Sequence, residues 1–226
     1  MFLTKMPLNP QRRSTRELVS SPQRLHAAVL AGFLPGTASQ ERVLWRLDTD
    51  GRHELNLYVV SPSRPSFDAL VEQAGWSASP VWRTADYAPF LTRLAQGQRW
   101  VFRLTANPVR SVRPPDASIG GRQRGRRVAL VTVEDQTEWL LSRSSGLGFL
   151  VPSGESGQPN LSLSSRSRNR FQRRSDGDSR TVTLETVRFD GVLEVTDADV
   201  LRQTLVRGVG SGKGYGCGLM TLASLQ

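Results

Sequence analysis

From Val182 to Val195 the chain reads Val-Thr-Leu-Glu-Thr-Val-Arg-Phe-Asp-Gly-Val-Leu-Glu-Val. Apolar and polar side chains alternate with the period of two that a half-buried strand requires. The apolar phase moves from even positions (Val182, Leu184) to odd ones (Val187, Phe189, Leu193, Val195), and a β-bulge near Thr186 accounts for the change. Asp197 then stands as N-cap to a helix predicted over Ala198 to Val206. Glycine follows at Gly208, Gly210, Gly212, Gly214, Gly216 and Gly218, and a last strand is predicted over Leu219 to Leu225.

Upstream, Arg127 to Val133 reads as a strand, Thr137 to Ser145 as a helix carrying Trp139, Leu140 and Leu141, and Phe149 to Val151 as a short strand. The second half is then β-α-β-β-α-β, with a basic hairpin tip or loop inserted before the long strand. The first half has the same order. A strand over Phe2 to Leu8 leads to a helix over Pro22 to Phe33, capped by Ser20 or Ser21, with Pro22 in its first turn and Leu25, Ala28, Val29, Gly32 and Phe33 as its apolar stripe. Strands over Val43 to Leu47 and Leu55 to Val60 flank a turn at Asp50-Gly51, a short helix runs near Phe67 to Ala74, and Trp100 to Thr105 is the expected closing strand. The fold class is therefore α+β, two tandem ferredoxin-like (RRM-like) domains. The expected boundaries are 1–109 for the first, 110–126 for a basic linker and 127–226 for the second.

The glycine run admits two readings. Bare backbone can turn successive N–H groups toward an anion, or it can serve as a flexible connection between helix and strand. A P-loop is excluded, since the position six before Lys213 is Arg207 and the one after it is Gly214; a dinucleotide fingerprint would need glycine at Lys213 or Cys217.

Net charge is +10, and two segments hold nearly all of it: Arg110 to Arg127 has six arginines against Asp116, and Ser164 to Arg180 has six against Asp176 and Asp178. Neither is amphipathic, so nucleic acid is expected ahead of a membrane surface; solvated loops in an arginine-rich protein are the plainer alternative. No apolar run approaches a membrane span, and Met1 to Asn9 lacks the layout of a signal peptide. With Cys217 as the single cysteine, a reducing cytoplasmic setting is the expectation. His26, His53 and Cys217 stand in no metal-ligand spacing, and no G-x-S-x-G elbow occurs. No metal and no small-molecule cofactor are expected. His26 lies at the margin of the first long helix's apolar stripe, where its tip can reach a cleft; His53 reads as an exposed turn residue.

End to end the chain resembles the CasE family of CRISPR-associated repeat-processing endoribonucleases, the RNA-cutting subunit of type I-E Cascade. The resemblance rests on the Pro22-Gln23-Arg24-Leu25-His26 helix start, Val43 to Asp48, Phe102-Arg103-Leu104-Thr105-Ala106-Asn107-Pro108-Val109, Glu138-Trp139-Leu140 with Gly148-Phe149, Val187 to Gly191, and Gly208 to Leu222. It implies cleavage of CRISPR repeat RNA by attack of a 2′-OH on the adjacent phosphate, without metal, giving a 2′,3′-cyclic phosphate. It also implies retention of the cut hairpin within Cascade, whose other subunits are the expected protein partners. The family's catalytic histidine aligns with His26, while the tyrosine many relatives carry three residues earlier is replaced by Gln23. Lys5 and Lys213, the only lysines, are candidates for stabilising charge on the phosphorane. Arg166, Arg168, Arg170, Arg173 and Arg174 are expected to grip the repeat stem, and Arg122, Arg124, Arg126 and Arg127 the flanking phosphates. Gly208, Gly210, Gly212, Gly214, Tyr215 and Gly216 are expected to line the RNA backbone. A non-catalytic RNA-binding subunit and a protein binding an acidic partner are the rival readings.

Overall fold

A computed structural model of the chain describes residues 1–34, 42–50, 54–77, 82–112, 126–175 and 178–225. The first unit contains β1 (Phe2–Leu8), α1 (Arg13–Val19), α2 (Pro22–Leu30), β2 (Leu44–Asp50), β3 (Glu54–Ser61), α3 (Asp68–Ala74) and β4 (Arg83–Asp86), followed by the short α4 (Ala88–Thr92). Its sheet is antiparallel in the order β2-β3-β1-β4. The second unit contains β5 (Arg99–Ala106), β6 (Val109–Val112), β7 (Arg126–Ala129), α5 (Val133–Ser144), β8 (Phe149–Leu150), β9 (Leu161–Ser175), β10 (Asp178–Val195), α6 (Ala198–Arg207) and β11 (Met220–Ser224). Its sheet runs β11-β5-β10-β8, with β9 paired to β10 as an arm. In each sheet the unit's first and third strands lie at the centre, the ferredoxin-like order, so the tandem fold read from sequence is present.

Local chemistry sets the helices. Ser21 accepts from the Arg24 N–H at the start of α2, with Pro22 in the first turn, and Leu25 and Val29 bury one stripe. Asp197 accepts from the Val200 N–H at the start of α6. Thr132 caps α5, whose first turn carries Glu134 and Asp135. The expected strand over Arg127 to Val133 therefore gives way: Arg126–Ala129 pairs with Val109–Val112 as a separate two-stranded ribbon, and Val133 is already helical. That ribbon is formed from the ends of the expected 110–126 linker, whose interior lies outside the described residues, as do Gly51 and His53.

One strand changes units. Trp100 to Thr105 was expected to close the first sheet, yet β5 lies between β10 and β11 of the second, with Leu104 opposite both Phe189 and Met220. The open edge of β1 is taken instead by β4, from Phe2 opposite Asp86 to Lys5 opposite Arg83. Pairing thus divides the units between β4 and β5, ahead of the boundary expected at residue 109. The physical reason is burial: Phe102, Leu104 and Ala106 fill a core with Trp139, Phe149 and Phe189, and these partners all belong to the second unit.

The bulge is present. Thr186 pairs with Ser167 and Arg188 with Ser164, so Ser165 and Arg166 together stand opposite Val187. Ser165 adopts φ 47°, as a residue pushed out of a ladder can. Of the basic segment, Ser164 to Ser175 and Asp178 to Arg180 thereby lie on the paired strands of a long arm rather than in an irregular loop, and residues 176–177 lie outside the described residues.

Candidate active site and nucleic-acid interface

Two faces of the first sheet have separate duties. Met6, Leu8, Leu57, Val59 and Trp45 pack beneath the helices with Leu25 and Val29. The opposite face presents Leu44 and Val60 to the second unit's core. Between them Arg46 crosses the junction. Its side chain is 2% exposed, and all five of its N–H groups are used. Nε and Nη2 donate to the two Asp48 carboxylate oxygens at 2.7 and 2.9 Å, Nη1 donates to the Arg103 and Leu219 carbonyls at 2.8 and 3.0 Å, and Nη2 also donates to Thr221 Oγ1 at 2.9 Å. Arg103 extends the network to Asp190 at 2.6 Å, and Asp190 meets Arg188 at 3.0 Å. The last two lie at the base of the arm.

This clamp sets α2 against the glycine-rich loop. The loop closes on itself through Val209 N–H to the Gly218 carbonyl at 2.9 Å and is tied to β5 by Gly218 N–H to the Thr105 carbonyl at 2.7 Å. Asn107 pairs with Ser211 as an isolated bridge and donates from its side-chain amide to Ser211 Oγ at 3.3 Å. Every glycine of the run except Gly214 has a positive φ. A Cβ at Gly216 would stand 2.7 Å from the Trp45 ring, and Gly208 and Gly210 are pressed as closely on Leu44 and Trp139. Close packing thus accounts for most of the run, against the first unit at Gly208 and Gly216 and within the second unit at Gly210, Gly212 and Gly218, so it is not a loose connector. Gly214 differs: its φ is ordinary, and a Cβ there would meet the His26 ring, 3.4 Å from Nε2.

His26 is held from its other side. The Trp45 indole N–H donates to His26 Nδ1 at 3.1 Å. An indole nitrogen can only donate, so Nδ1 is unprotonated and the neutral ring carries its proton on Nε2, toward Gly214. Burial lowers the His26 pKa below its ordinary 6.5, and the Trp45 N–H facing Nδ1 acts in the same direction. The histidine is therefore neutral near pH 7 and offers an N–H into the cleft.

Lys213, next to Gly214, lies in the same region. Its ammonium donates to the Arg207 carbonyl at the end of α6 at 2.7 Å, and its pKa is lowered by burial and then by Arg42. A groove of about 640 Å³ beside the loop is lined by Arg42, Arg127, Arg143 and Lys213 together with the backbone of Gly210 to Gly214. Arg42 and Arg143 were not singled out in the sequence, because each lies outside the two basic clusters; Arg143 rests on the Trp139 ring, 5.0 Å from its centroid. Trp45 and Arg46 were also missed as site residues. An Arg and an Asp two apart on one face of an apolar strand, Arg46 and Asp48, were the available signal.

Lys5 is not brought to this site. In β1 it is paired with Tyr58, over whose ring its ammonium lies at 5.7 Å. Trp45 is paired with Val59, on the helix side, so Lys5 stands on the sheet face turned away from His26.

Arg166, Arg168 and Arg170 share one side of β9 by strand alternation. Arg166 donates to the Val131 carbonyl, and Arg168 pairs with Glu185 at 3.0 Å. Arg126 and Arg127 are exposed on β7. The side chains of Arg173 and Arg174 lie outside the described residues, as do Arg122 and Arg124 entirely. Cys217 is buried, and burial pushes its thiol up to about 12, which makes it an inert packing residue. No helix among the described residues is long and apolar enough to cross a membrane.

A polarised imidazole, a cationic groove and a basic arm on two ferredoxin-like units are features that can be compared with known proteins. A family model described as CRISPR associated protein matches residues 1–224. The chain is 32% identical over 227 residues to the CRISPR-associated endoribonuclease Cse3 of Thermus thermophilus, covering 99% of this chain and 100% of the relative. It is 32% identical over 138 residues to the CRISPR system Cascade subunit CasE of Escherichia coli, 59% of this chain and 62% of that one. The structure of CRISPR endoribonuclease Cse3 bound to a 19-nucleotide RNA matches with a TM-score of 0.80 at 32% identity, covering 99% of this chain and 100% of that one. Agreement in sequence and fold along nearly all of its residues shows that the chain belongs to the CasE family of type I-E CRISPR-associated endoribonucleases.

Proposed function

We propose that this protein binds the stem-loop of CRISPR repeat RNA, cuts the precursor transcript without a metal ion to leave a 2′,3′-cyclic phosphate and a 5′-OH, and stays on its product as a Cascade subunit in the cytoplasm. The observation that carries the reading is the fixed tautomer of His26, with Nδ1 engaged by Trp45 and Nε2–H directed at Gly214. It is supported by the RNA-bound structure of the endoribonuclease Cse3 and by CasE being a Cascade subunit.

In this reading the 2′-OH attacks the neighbouring phosphorus in line as its proton passes to water, the bond to the 5′ oxygen breaks and that oxygen takes a proton from water, and meanwhile negative charge grows on the phosphoryl oxygens and on the departing 5′ oxygen. While Trp45 occupies Nδ1, His26 Nε2 cannot take a proton; it can only donate. His26 therefore acts as a neutral hydrogen-bond donor to developing negative charge, rather than as the base that removes the 2′-OH proton. Arg42, Arg127, Arg143 and Lys213 supply positive potential along the adjacent groove. Gly214, without a side chain, leaves room for the reacting phosphate against Nε2.

The test is cleavage of repeat hairpin RNA by wild type and His26→Ala in excess EDTA, with the product ends identified. Cutting by wild type alone, leaving a cyclic phosphate, supports the reading. Equal cutting by both rejects His26, and binding without cutting by either favours a non-catalytic subunit.

A pH profile checks the protonation state. Protonation at Nδ1 sets that nitrogen's proton against the Trp45 N–H and breaks the bond that holds the ring in place, and the His26 pKa is lowered from 6.5, so single-turnover rates should be flat near neutrality and fall as pH drops through a midpoint below 6.5. Trp45→Phe removes the donor facing Nδ1, raises the imidazole pKa and moves this acid limb to higher pH. A wild-type rate that instead climbs as pH falls would assign the work to the imidazolium.

The arm provides grip. Replacing Arg166, Arg168 and Arg170 together with alanine should weaken repeat RNA binding and make its salt dependence shallower, by roughly one unit of slope for each phosphate that is no longer neutralised. Titrations at several salt concentrations measure this; an unchanged slope removes the three from the interface.

A further inference from the structure

Adjoining the cationic groove, with which it shares Val109, Arg127, Ser211 and Gly212, lies a second cavity, of about 530 Å³, bounded by β7, the base of the arm and Tyr215. Its volume falls in the range of roughly 300–1,000 Å³ that encloses small ligands. Val109, Val182 and Leu184 give it apolar surface, and Arg126, Arg127 and Arg168 stand among its lining residues. Glu185 also lines it and pairs with Arg168 at 3.0 Å, leaving two of the three arginine charges uncompensated by a lining carboxylate.

Tyr215 is braced in place. The Phe171 ring of β9 packs against it with centroids 4.9 Å apart and planes at 64°, an edge-to-face arrangement that orients an aromatic ring. Tyr215 follows Gly214, the residue facing His26 Nε2, and precedes Gly216, which lies on Trp45. Because Gly214 lines the cationic groove that adjoins the cavity, a group stacked on Tyr215 stands beside that groove.

We propose that this cavity receives one unpaired nucleobase of the RNA, flanking the bond that is cut, stacked on Tyr215 with its phosphates met by Arg126, Arg127 and Arg168. The proposal rests on the reading of the chain as an RNA-cutting enzyme and adds the site that sets which nucleotide stands beside the reacting phosphate. The chemistry fits an RNA base: an aromatic wall and apolar surface for its faces, polar groups of Asn107, Thr183 and Ser211 for its edge, and arginines for its backbone. A base held in a stem cannot enter without unpairing and unstacking, so the occupant is a splayed one.

The experiment combines RNA and protein changes. Repeat hairpin RNA is made with an abasic site at each unpaired nucleotide next to the cut, one at a time. Single-turnover cleavage is then measured with wild type, Tyr215→Ala and Tyr215→Phe. One abasic position should slow wild type about 10-fold, the effect of losing one base–aromatic stack. Tyr215→Ala should slow cutting of intact RNA by a similar factor, with no further loss when the two changes are combined, and Tyr215→Phe, which keeps the stacking ring, should recover most of that loss and the sensitivity to the abasic position. In addition, 2-aminopurine at that position should be quenched on binding wild type and Tyr215→Phe, but not Tyr215→Ala. If Tyr215→Ala does not fold, Ala129→Phe, which fills the cavity from β7, takes its place with the same expectations. Equal abasic effects in wild type and variant at every position, or no quenching at any, overturns the proposal. Wild type that quenches the probe yet cuts nothing overturns the enzymatic reading and leaves the cavity assignment standing.

Discussion

Replacing His26 with alanine should slow cleavage of repeat hairpin RNA about 10²- to 10³-fold, the cost of deleting one donor directed at developing oxyanion charge, while leaving RNA affinity unchanged. The expectation follows from the ring's two engagements. Nδ1 is committed to Trp45 at 3.1 Å, and Nε2–H faces Gly214, the one glycine of the run with an ordinary φ. A conservative variant sharpens the test. His26→Gln keeps a neutral N–H donor and cannot titrate, so it should retain part of the rate and lose the acid limb of the pH profile. If His26→Gln is as inactive as His26→Ala, proton transfer by the imidazole is required and the neutral-donor assignment fails.

Arg46→Ala should be the most destabilising single change at the junction, by about 3–5 kcal/mol, lowering the thermal midpoint on the order of 10 °C for a chain of this size. The loss comes less from the attraction removed than from what is stranded. Asp48 is 3% exposed and would remain as a buried carboxylate without its bidentate partner, while the Arg103 and Leu219 carbonyls would lose the donor that crosses between units. The double change Arg46→Ala with Asp48→Ala should recover part of the stability, since it removes a buried carboxylate that would otherwise keep only the longer Arg103 contact at 3.5 Å. Thermal unfolding of the two variants decides this, and a double variant less stable than Arg46→Ala would overturn the account. Because Trp45 is the neighbouring residue, cleavage by folded Arg46→Ala should also fall, through loosening of the His26 clamp.

Much of the fold was legible because it is written in local patterns. The period-two run from Val182 to Val195, its phase change at the bulge and the Ser21 and Asp197 caps are each decided within a few residues. The strand exchange was not legible. Arg83–Asp86 is four residues long and mostly exposed, so it carries no hydrophobic signature and is a strand only because β1 offers it an edge. Arg99–Ala106 has a clear signature, yet alternation names a strand without naming its neighbour. Thr132 to Ser144 was misread at its start for a related reason: Val-Thr-Val suits both a strand end and a capped helix start, and pairing of Arg126–Ala129 with Val109–Val112 decides between them.

At the site the same division holds. His26 and the basic arm could be singled out from helix position, charge clustering and family resemblance, which depend on residues near one another in the chain or on its overall likeness to relatives. Lys5 and Lys213 could not be told apart, although one lies beneath Tyr58 on the far sheet face and the other beside Gly214. Nor could the run from Gly208 to Gly218 be understood, because the reason for its glycines lies in Leu44, Trp45 and Trp139, far away in sequence. Amino-acid order thus specified the elements and the charge through short-range propensity and composition, and likeness to relatives singled out His26. Which strand joined which sheet, which nitrogen of His26 bears the proton and which cations line the groove beside the glycine-rich loop depended on contacts between distant residues, and only tertiary packing brings those together.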